Sequence, residues 1–294
     1  MAEISGLLNI LRANTPGKDI PMTTLRKNFS VFYLKHQSDR HPATRPEPIR
    51  PGLPGTWVTL PGTDPGKAML FFHGGGFTIG STADHIGLCS RLAESAGMPV
   101  FGVDYRLAPE YHFPDPVEDA VDAYRFLLAK GFAPSSVVPV GISAGGTLVL
   151  SLLVACRDRN IPLPSCAVCM SPAVNLLFEG RSVVENRSTD WITQQRLDSI
   201  RTNYLHGADP RQPLASPFFA DPGGLPPLLI QAGGGELLRD DIITFVEKAR
   251  KGGVEIEFEL VEGMFHCWQI FADELTEGDD SIRSIGRYIR KMTW

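Results

Sequence analysis

A serine stands at the boundary between an apolar run and a helical pattern near the middle of the chain. In "VVPVGISAGGTLVL", residues 137–150, the β-branched run stops at Gly141, and Ser143 follows between small residues. G-x-S-x-G is typical of a sharp turn from a strand into a helix, where bulky neighbours would clash with the chain beside the turn. The hydroxyl would stand at the carboxyl end of the strand, facing the N–H groups of the following helix. Ser143 is therefore the candidate nucleophile, and an ordinary glycine-rich turn is the alternative.

A run of three glycines precedes this serine. In "MLFFHGGGFTIG" an apolar run ends at His73, and Gly74, Gly75 and Gly76 follow. Backbone N–H groups in such a loop can crowd a substrate oxygen, so two of these three, with the N–H of Ala144, are predicted to form an oxyanion hole. The sequence does not distinguish which two. A tight turn or a phosphate-binding loop is the alternative, but G-x-G-x-x-G and Walker spacings are absent. His73 is predicted to orient the loop rather than to transfer protons.

A serine nucleophile needs a base, and the base needs a carboxylate that orients it. Only His206 and His266 follow the serine. We favour His266, which comes just after the apolar run "VEIEFELV", whereas His206 lies in a polar helical stretch. The carboxylate should follow the preceding strand, "PPLLIQA", where "GGGELLRDD" offers Glu236 first and Asp240 later. We favour Glu236 because acidic residues in a first helical turn have another explanation, the helix dipole.

The elements that must position these residues alternate between strand and helix. From about residue 65, short apolar strands are followed by helical patterns. This alternation predicts an α/β fold with a mostly parallel central sheet and helices on both faces. "TWVTLPG" adds an edge hairpin at the N-terminal side, and "VEIEFEL" is a possible edge strand. The predicted helices cover residues 82–97, 115–130, 144–159, 238–251 and 279–291.

Two regions break the alternation and predict a helical cap. Residues 1–45 contain two amphipathic helical segments before any strand, and residues 180–208 insert a helical stretch between two core strands. Added helices near the ends of parallel strands are natural covers for a site. We therefore predict one domain over residues 1–294, capped by these two segments. Five aromatic residues could form the pocket wall or belong to the plain core: Phe29, Phe32, Phe77, Trp191 and Phe218.

The composition limits the partners and the location. The chain has 294 residues, 43% of them apolar, and a net charge of -5 without any Lys/Arg block, so nucleic acids and anionic membranes are poor partners. The start lacks the pattern of a secretory signal, and no apolar run approaches ~18 residues, so no stable membrane insertion is expected. Five cysteines in mostly apolar contexts indicate a reducing, cytoplasmic setting. Cys166 and Cys169 form a C-x-x-C within a predicted strand, and core packing is favoured over a metal or redox role.

Together these motifs resemble the hormone-sensitive-lipase-like family of α/β-hydrolases, the bacterial family IV carboxylesterases. The resemblance implies an α/β-hydrolase fold in which Ser143 is the nucleophile, His266 the base and Glu236 the acid. It also implies a small-molecule ester substrate with an acyl chain of roughly two to eight carbons, no metal or cofactor, and a homodimer. The matching segments span about residues 70–268: "HGGG" at 73–76, "DYRLAPE" at 104–110, "GISAGG" at 141–146, "SP" at 171–172, "GGGELLRD" and "GMFH".

The sequence departs from the family pattern at two positions. Many members have Asp where Glu236 stands, and an acidic residue is common where Ile142 stands. The family analogy also makes Asp104, Arg106 and Glu110 a buried polar support rather than catalysts. The motifs do not separate an esterase from an amidase, a lactonase or a polyester hydrolase of the same fold. A non-catalytic ligand receptor, like the related plant gibberellin receptors that lost the histidine, is the alternative from another class.

Overall fold

Eight strands form a single sheet in a computed structural model that describes residues 2–14, 20–36 and 42–294. The order across the sheet is first, second, fourth, third, then fifth to eighth. The second strand runs antiparallel to both neighbours, and all other pairs are parallel, which confirms the predicted mostly parallel sheet. The strands are β1 (Ala43–Pro46), β2 (Gly55–Thr59), β3 (Ala68–Phe72), β4 (Val100–Val103), β5 (Val137–Ile142), β6 (Ala167–Met170), β7 (Leu228–Gly233) and β8 (Ile256–Val261).

The two edges of the sheet differ in how visible they are in the sequence. β8 forms one edge, where the sequence predicts an edge strand. At the other edge, β2 carries the predicted "TWVT" and pairs with β1, which completes the predicted hairpin. All four side chains of β1 are exposed, so no apolar alternation marks this strand. β1 begins at Ala43, and the predicted cap range 1–45 therefore overlaps the sheet.

Helices cover both faces of the sheet, and the five predicted ones are present. The third helix begins later than predicted because Ala83–His85 form a 3₁₀ turn, and it ends where Gly97 takes a left-handed φ of 71°. The last helix is longer than predicted at both ends. The helices are α1 (Ala2–Asn14), α2 (Met22–Lys35), α3 (Ile86–Ala96), α4 (Asp115–Ala129), α5 (Ala144–Asp158), α6 (Ser182–Glu185), α7 (Gln194–Leu205), α8 (Arg239–Lys251) and α9 (Thr276–Thr293).

The core has two parts, one on each face of the sheet. Along β3, Leu70 and Phe72 belong to the part that includes residues of α4, α5 and α8. Met69 and Phe71 point the other way, into the part that includes residues of α1, α3 and α9. All four side chains are fully buried. A strand covered on both faces needs apolar residues at every position, which explains why β3 shows no polar alternation.

The cysteines are part of this core. All five are free thiols and buried. Cys166 and Cys169 lie on opposite faces of the sheet because residues three apart in a strand point in opposite directions. Their predicted role as core residues is confirmed. Among the described residues, no helix combines the length and the apolarity that a membrane span requires.

Candidate active site

The predicted site residues meet at the carboxyl edge of the parallel strands. The glycine loop follows β3, Ser143 follows β5, Glu236 follows β7 and His266 follows β8. Parallel strands place the loops after their carboxyl ends on one side of a sheet. Four segments far apart in sequence therefore converge at one place.

Ser143 occupies a strained turn between β5 and α5. Its φ is 56° and its ψ is -121°, a region that costs a non-glycine residue on the order of 1–3 kcal/mol. Its N–H donates to the carbonyl of Met170 at 2.8 Å, which holds the turn against β6. A Cβ at Gly145 would overlap the carbonyl of Phe72, and one at Gly141 would overlap the carbonyl of Gly145. The G-x-S-x-G pattern is thus a steric requirement of this turn.

A continuous chain of hydrogen bonds joins the serine, the histidine and the glutamate. Ser143 Oγ lies 2.8 Å from His266 Nε2, and His266 Nδ1 lies 2.8 Å from Glu236 Oε2. The other oxygen of Glu236 accepts the N–H of Gly233 at 2.9 Å. Because the carboxylate can only accept, Nδ1 carries the proton that it donates to Glu236, and Nε2 is free to accept from the serine hydroxyl.

The alternative acid and base lie elsewhere. Asp240 accepts the N–H of Ser182 at 3.0 Å and also pairs with Arg239. His206 ends α7 in a left-handed conformation, and its ring stacks on His112 at 4.5 Å between centroids. Neither residue contacts the serine or His266. The structure therefore places Glu236 and His266 beside the serine, whereas Asp240 and His206 make other contacts.

The imidazole of His266 is almost completely buried beside the Glu236 carboxylate. Burial disfavours the charged ring, but interactions with Cys267 and with Glu236 outweigh it, so the pKa of His266 lies well above its ordinary value. Burial raises the pKa of the Cys267 thiol, which leaves the Glu236 carboxylate as the negative partner of the ring. The site is therefore built to stabilise an imidazolium.

Asp190, in the inserted segment, joins the two loops that carry the acid and the base, and the sequence analysis missed it. Its Oδ2 accepts the N–H of Leu237 at 2.8 Å, and its Oδ1 accepts the N–H of His266 at 3.2 Å. Burial raises the pKa of Asp190 to about 6, although the nearby His266 and the backbone donors lower it. Nothing in "RSTDWIT" distinguishes this carboxylate from a solvated one, because its donors are backbone groups distant in sequence.

The glycine loop presents N–H groups of two kinds. Gly74 N–H points at His85 Nε2 at 3.4 Å, whereas those of Gly75, Gly76 and Ala144 make no hydrogen bond to the described residues. Ala144 is the first residue of α5, where helical N–H groups have no partner within the helix. Within the loop, the N–H group of Gly74 therefore differs from those of Gly75 and Gly76, because only Gly74 faces an acceptor among the described residues.

Two histidines support this loop. His73 Nδ1 lies 2.8 Å from the carbonyl of Gly74, and its ring stacks on Tyr105 at 4.2 Å between centroids. His85, which the sequence analysis did not single out, lines the pocket, and burial lowers its pKa to about 3, so it is neutral. Within residues 2–14, 20–36 and 42–294, no three His, Cys, Asp or Glu side chains are grouped so that they could hold a metal ion.

A cavity of about 80 Å³ opens onto Ser143 and His266. Residues of both predicted cap segments line it, from α1 and α2 on one side and from α7 on the other. Arg12 of α1 donates to the carbonyl of Asp190 at 3.1 Å, which ties the two segments together. The wall prediction is right for Phe29, Phe32 and Trp191, which line the cavity. Phe77 takes the alternative role in the core, because it is buried against Tyr204, and Phe218 packs on Phe219 and does not line this cavity.

The expected polar support is only partly buried. Arg106 pairs with the buried Asp119 at 2.9 Å, and Asp104 accepts the N–H of Thr82 at 2.6 Å. Glu110 does not belong to a buried group, because its side chain is 51% exposed and pairs with Arg26 of α2. That part of the expectation is wrong. Glu110 instead fastens α2 to the loop before α4.

Comparisons with known proteins agree with the fold. Residues 69–270 match the family model of the alpha/beta hydrolase fold. The chain superposes on an esterase from the bacterial hormone-sensitive lipase family with a TM-score of 0.96 and 39% identity, covering 100% of this chain and 99% of that one. The esterase EstE5, from a crystal soaked with p-nitrophenyl butyrate, matches with a TM-score of 0.93 and 36% identity over 99% of both chains. An acetyl-hydrolase of Streptomyces hygroscopicus is 42% identical over 81% of this chain and 79% of its own length.

Proposed function

The chain belongs to the α/β-hydrolase fold family and, within it, to the hormone-sensitive-lipase-like carboxylesterases, and on that basis we propose that it cleaves short- to medium-chain acyl esters through a covalent acyl-enzyme. The observation that carries the proposal is the unbroken hydrogen-bonded chain from Ser143 through His266 to Glu236, open to a cavity at the serine end.

Acylation begins at Ser143. The Oγ atom attacks the ester carbonyl while its proton passes to His266 Nε2, 2.8 Å away. The Glu236 carboxylate accepts the hydrogen bond from Nδ1–H throughout, so it fixes the productive tautomer and stabilises the imidazolium that forms. The imidazolium then protonates the departing alcohol, and the acyl group stays on the serine.

The negative charge that develops on the carbonyl oxygen needs preorganised donors. We assign these to the N–H groups of Gly75, Gly76 and Ala144. The N–H of Gly74 is the weakest candidate because it already faces His85 Nε2. This choice narrows the set of four predicted residues to three.

Deacylation repeats the same steps with water in place of the alcohol. His266, neutral again after releasing its proton to the leaving group, takes a proton from water, and the hydroxide attacks the acyl carbonyl. The same N–H groups stabilise the second oxyanion. The bond between the acyl carbon and Ser143 Oγ then breaks, the imidazolium returns its proton to Oγ, and the carboxylic acid leaves. No residue outside this set is required for proton transfer.

The cavity supports a short acyl chain. The cavity is small, about 80 Å³, and its wall is largely apolar, which suits a short acyl chain better than a long one. The similarity to an acetyl-hydrolase and to an esterase studied with a butyrate ester supports the same range. We therefore expect the optimum at the lower end of the range of two to eight carbons.

A chain-length series tests the function directly. We expect purified protein to hydrolyse p-nitrophenyl esters from acetate to octanoate, with a burst of p-nitrophenol where deacylation is slow, and to act poorly on palmitate. Mass spectrometry should find the acyl group on the peptide that contains Ser143. Ser143→Ala should abolish both signals, and Ser151→Ala, which changes a serine within the following helix α5, is the matched control. A clear preference for long-chain emulsified triglyceride, or full activity of Ser143→Ala, would overturn the proposal.

A homodimer and a cytoplasmic location are part of the proposal. β8 lies at the edge of the sheet, and unpaired strand edges are ready sites for pairing between copies. Five buried free thiols without a disulfide suit a reducing compartment. Light scattering after size exclusion and cell fractionation check the two statements, and a concentration-independent monomer would contradict the first.

A further inference from the structure

Arg196 is a cation in the cavity that has no acidic partner among the described residues. It lies on α7 and lines the cavity together with Ser143 and His266. Its Nη2 donates to Thr78 Oγ1 at 2.8 Å, and no carboxylate of the described residues pairs with it. Arg201, on the same helix, pairs with Asp198 at 3.0 Å. Among the described residues, Arg196 is instead held at the cavity by a hydroxyl and not by a carboxylate.

The surroundings of Arg196 do not compensate its charge. The cavity wall is largely apolar, and no Asp or Glu is among its described residues. Burial lowers the pKa of Arg196 to about 10, so the guanidinium stays charged at neutral pH. A partly buried charge without a partner is unfavourable, and an ionised acceptor that enters the cavity would relieve that cost. A guanidinium has five N–H donors, of which the described contacts use one.

The position of Arg196 places this charge beside the oxyanion loop. Thr78, which holds the guanidinium, hydrogen-bonds through both its N–H and its hydroxyl to the carbonyl of Gly75. One turn further along α7, Ile200 lies so close to Gly76 that a Cβ on that glycine would overlap it. The face of α7 that carries Arg196 therefore covers the loop where the ester carbonyl is proposed to bind.

We propose that Arg196 is a specificity-determining residue that binds a carboxylate on the substrate, so that the preferred substrates are esters bearing a free carboxylate near the scissile bond. The inference rests on the proposed esterase function and adds the chemical class of its substrate. A carboxylate matches the two-pronged geometry of a guanidinium and is small enough for the cavity. Two substrate types share this chemistry: half-esters of dicarboxylic acids, and acyl esters of hydroxy acids.

Matched pairs of esters test the inference and separate the two types. For the acyl side, mono-p-nitrophenyl adipate is compared with methyl p-nitrophenyl adipate, in which a methyl ester replaces the free carboxylate. For the leaving-group side, 4-acetoxybenzoate is compared with its methyl ester. The quantity measured is the ratio of kcat/KM for the charged ester to that for the neutral ester, after subtraction of spontaneous hydrolysis. We expect Arg196→Gln to lower at least one ratio roughly 10- to 100-fold, about 1.4–2.8 kcal/mol, mainly through KM.

Two further variants make the comparison specific. Arg196→Lys should retain part of the ratio because it keeps the charge but loses the fork, and Arg201→Gln, on the same helix, should keep the wild-type ratio. In the wild-type protein, 4-hydroxybenzoate should inhibit competitively, more weakly at high salt, and its methyl ester should inhibit less. Unchanged ratios in folded Arg196→Gln, or equal inhibition by acid and methyl ester, would overturn the inference. Hydrolysis of the neutral esters by the wild-type protein tests the proposed esterase function separately. If the wild-type protein did not hydrolyse them, the esterase function itself would be contradicted.

Discussion

Glu236→Gln is the substitution that most sharply separates the proposed acid from its neighbour. The carboxylate accepts two N–H donors at once: His266 Nδ1 at 2.8 Å and the backbone N–H of Gly233 at 2.9 Å. An amide has only one oxygen, so a glutamine in the same place meets one of these donors with its own NH₂ group. The N–H of Gly233 is fixed in the backbone, whereas the imidazole can change tautomer. The amide oxygen therefore turns to Gly233, and the NH₂ group faces His266.

The consequence for catalysis follows from that tautomer. With the amide donating to Nδ1, the imidazole carries its proton on Nε2, 2.8 Å from the serine hydroxyl, where it cannot accept the serine proton. In a serine protease, the equivalent loss of the triad acid lowers turnover on the order of 10⁴-fold. We expect a similar factor for Glu236→Gln, about 5.4 kcal/mol in the activation free energy. The fold should persist, because the amide is close in size to the carboxylate that it replaces.

The matched control is Asp240→Asn, one helical turn along the same segment. Asp240 accepts the N–H of Ser182 and pairs with Arg239, so its loss should lower stability by about 1 kcal/mol and turnover by less than threefold. Turnover of p-nitrophenyl acetate and the thermal midpoint are measured for both variants beside Ser143→Ala. If Asp240→Asn were the nearly inactive, well-folded protein and Glu236→Gln kept most of its activity, the assignment of the acid would be wrong.

Three more outcomes follow from the site. The pKa of His266 is raised well above its ordinary value, and only the neutral ring can act as a base, so kcat/KM should rise with pH through an apparent pKa above 6.5. Removal of the carboxylate in Glu236→Gln should lower the pH midpoint of the residual activity. A kcat/KM that falls over that pH range would contradict the role of His266 as the base. Asp190→Asn keeps one acceptor oxygen but turns an NH₂ group towards a backbone N–H, so we expect turnover to fall roughly 10-fold with a lower thermal midpoint. If the variant kept the turnover of the wild-type protein, the link that Asp190 makes between the two loops would not be needed for catalysis. Deletion of residues 1–35 should reduce esterase activity and alter chain-length preference more than it lowers helix content by circular dichroism, and an equally active truncation with unchanged preference would contradict the cap role.

Much of the site could be predicted from the sequence because local geometry dictates the residue types. The turn at Ser143 tolerates no side chain at Gly141 or Gly145, so five consecutive residues, 141–145, are enough to identify the nucleophile turn. Glu236 and His266 follow apolar strands that local patterns identify, and parallel strands bring their carboxyl ends to one edge. The buried strands and the helices that follow them are predicted for the same reason.

Other features depend on contacts between segments far apart in sequence. β1 is exposed along its length and is defined only by pairing with β2, so no pattern marks it. Asp190 looks like a solvated carboxylate until the loops after β7 and β8 present their N–H groups to it. Phe77 belongs to the core and Phe29 to the cavity, although both are aromatic residues near predicted site segments.

The sequence by itself determined the nucleophile turn, the buried strands with the helices that follow them, and the residues able to transfer a proton, because each depends on neighbours within a few positions. Only the tertiary structure decided which glycine N–H groups are available, that Asp190 joins the loops of the acid and the base, and that Arg196 faces the cavity with no counter-ion among the described residues. Those properties are set by contacts between remote segments. Gly74 differs from the other loop glycines because its N–H faces His85, and Arg196 faces the cavity because α7 packs over the loop after β3. Hydrogen bonds and burial between remote segments leave no periodic signal in the chain, and for that reason they appear only when it folds.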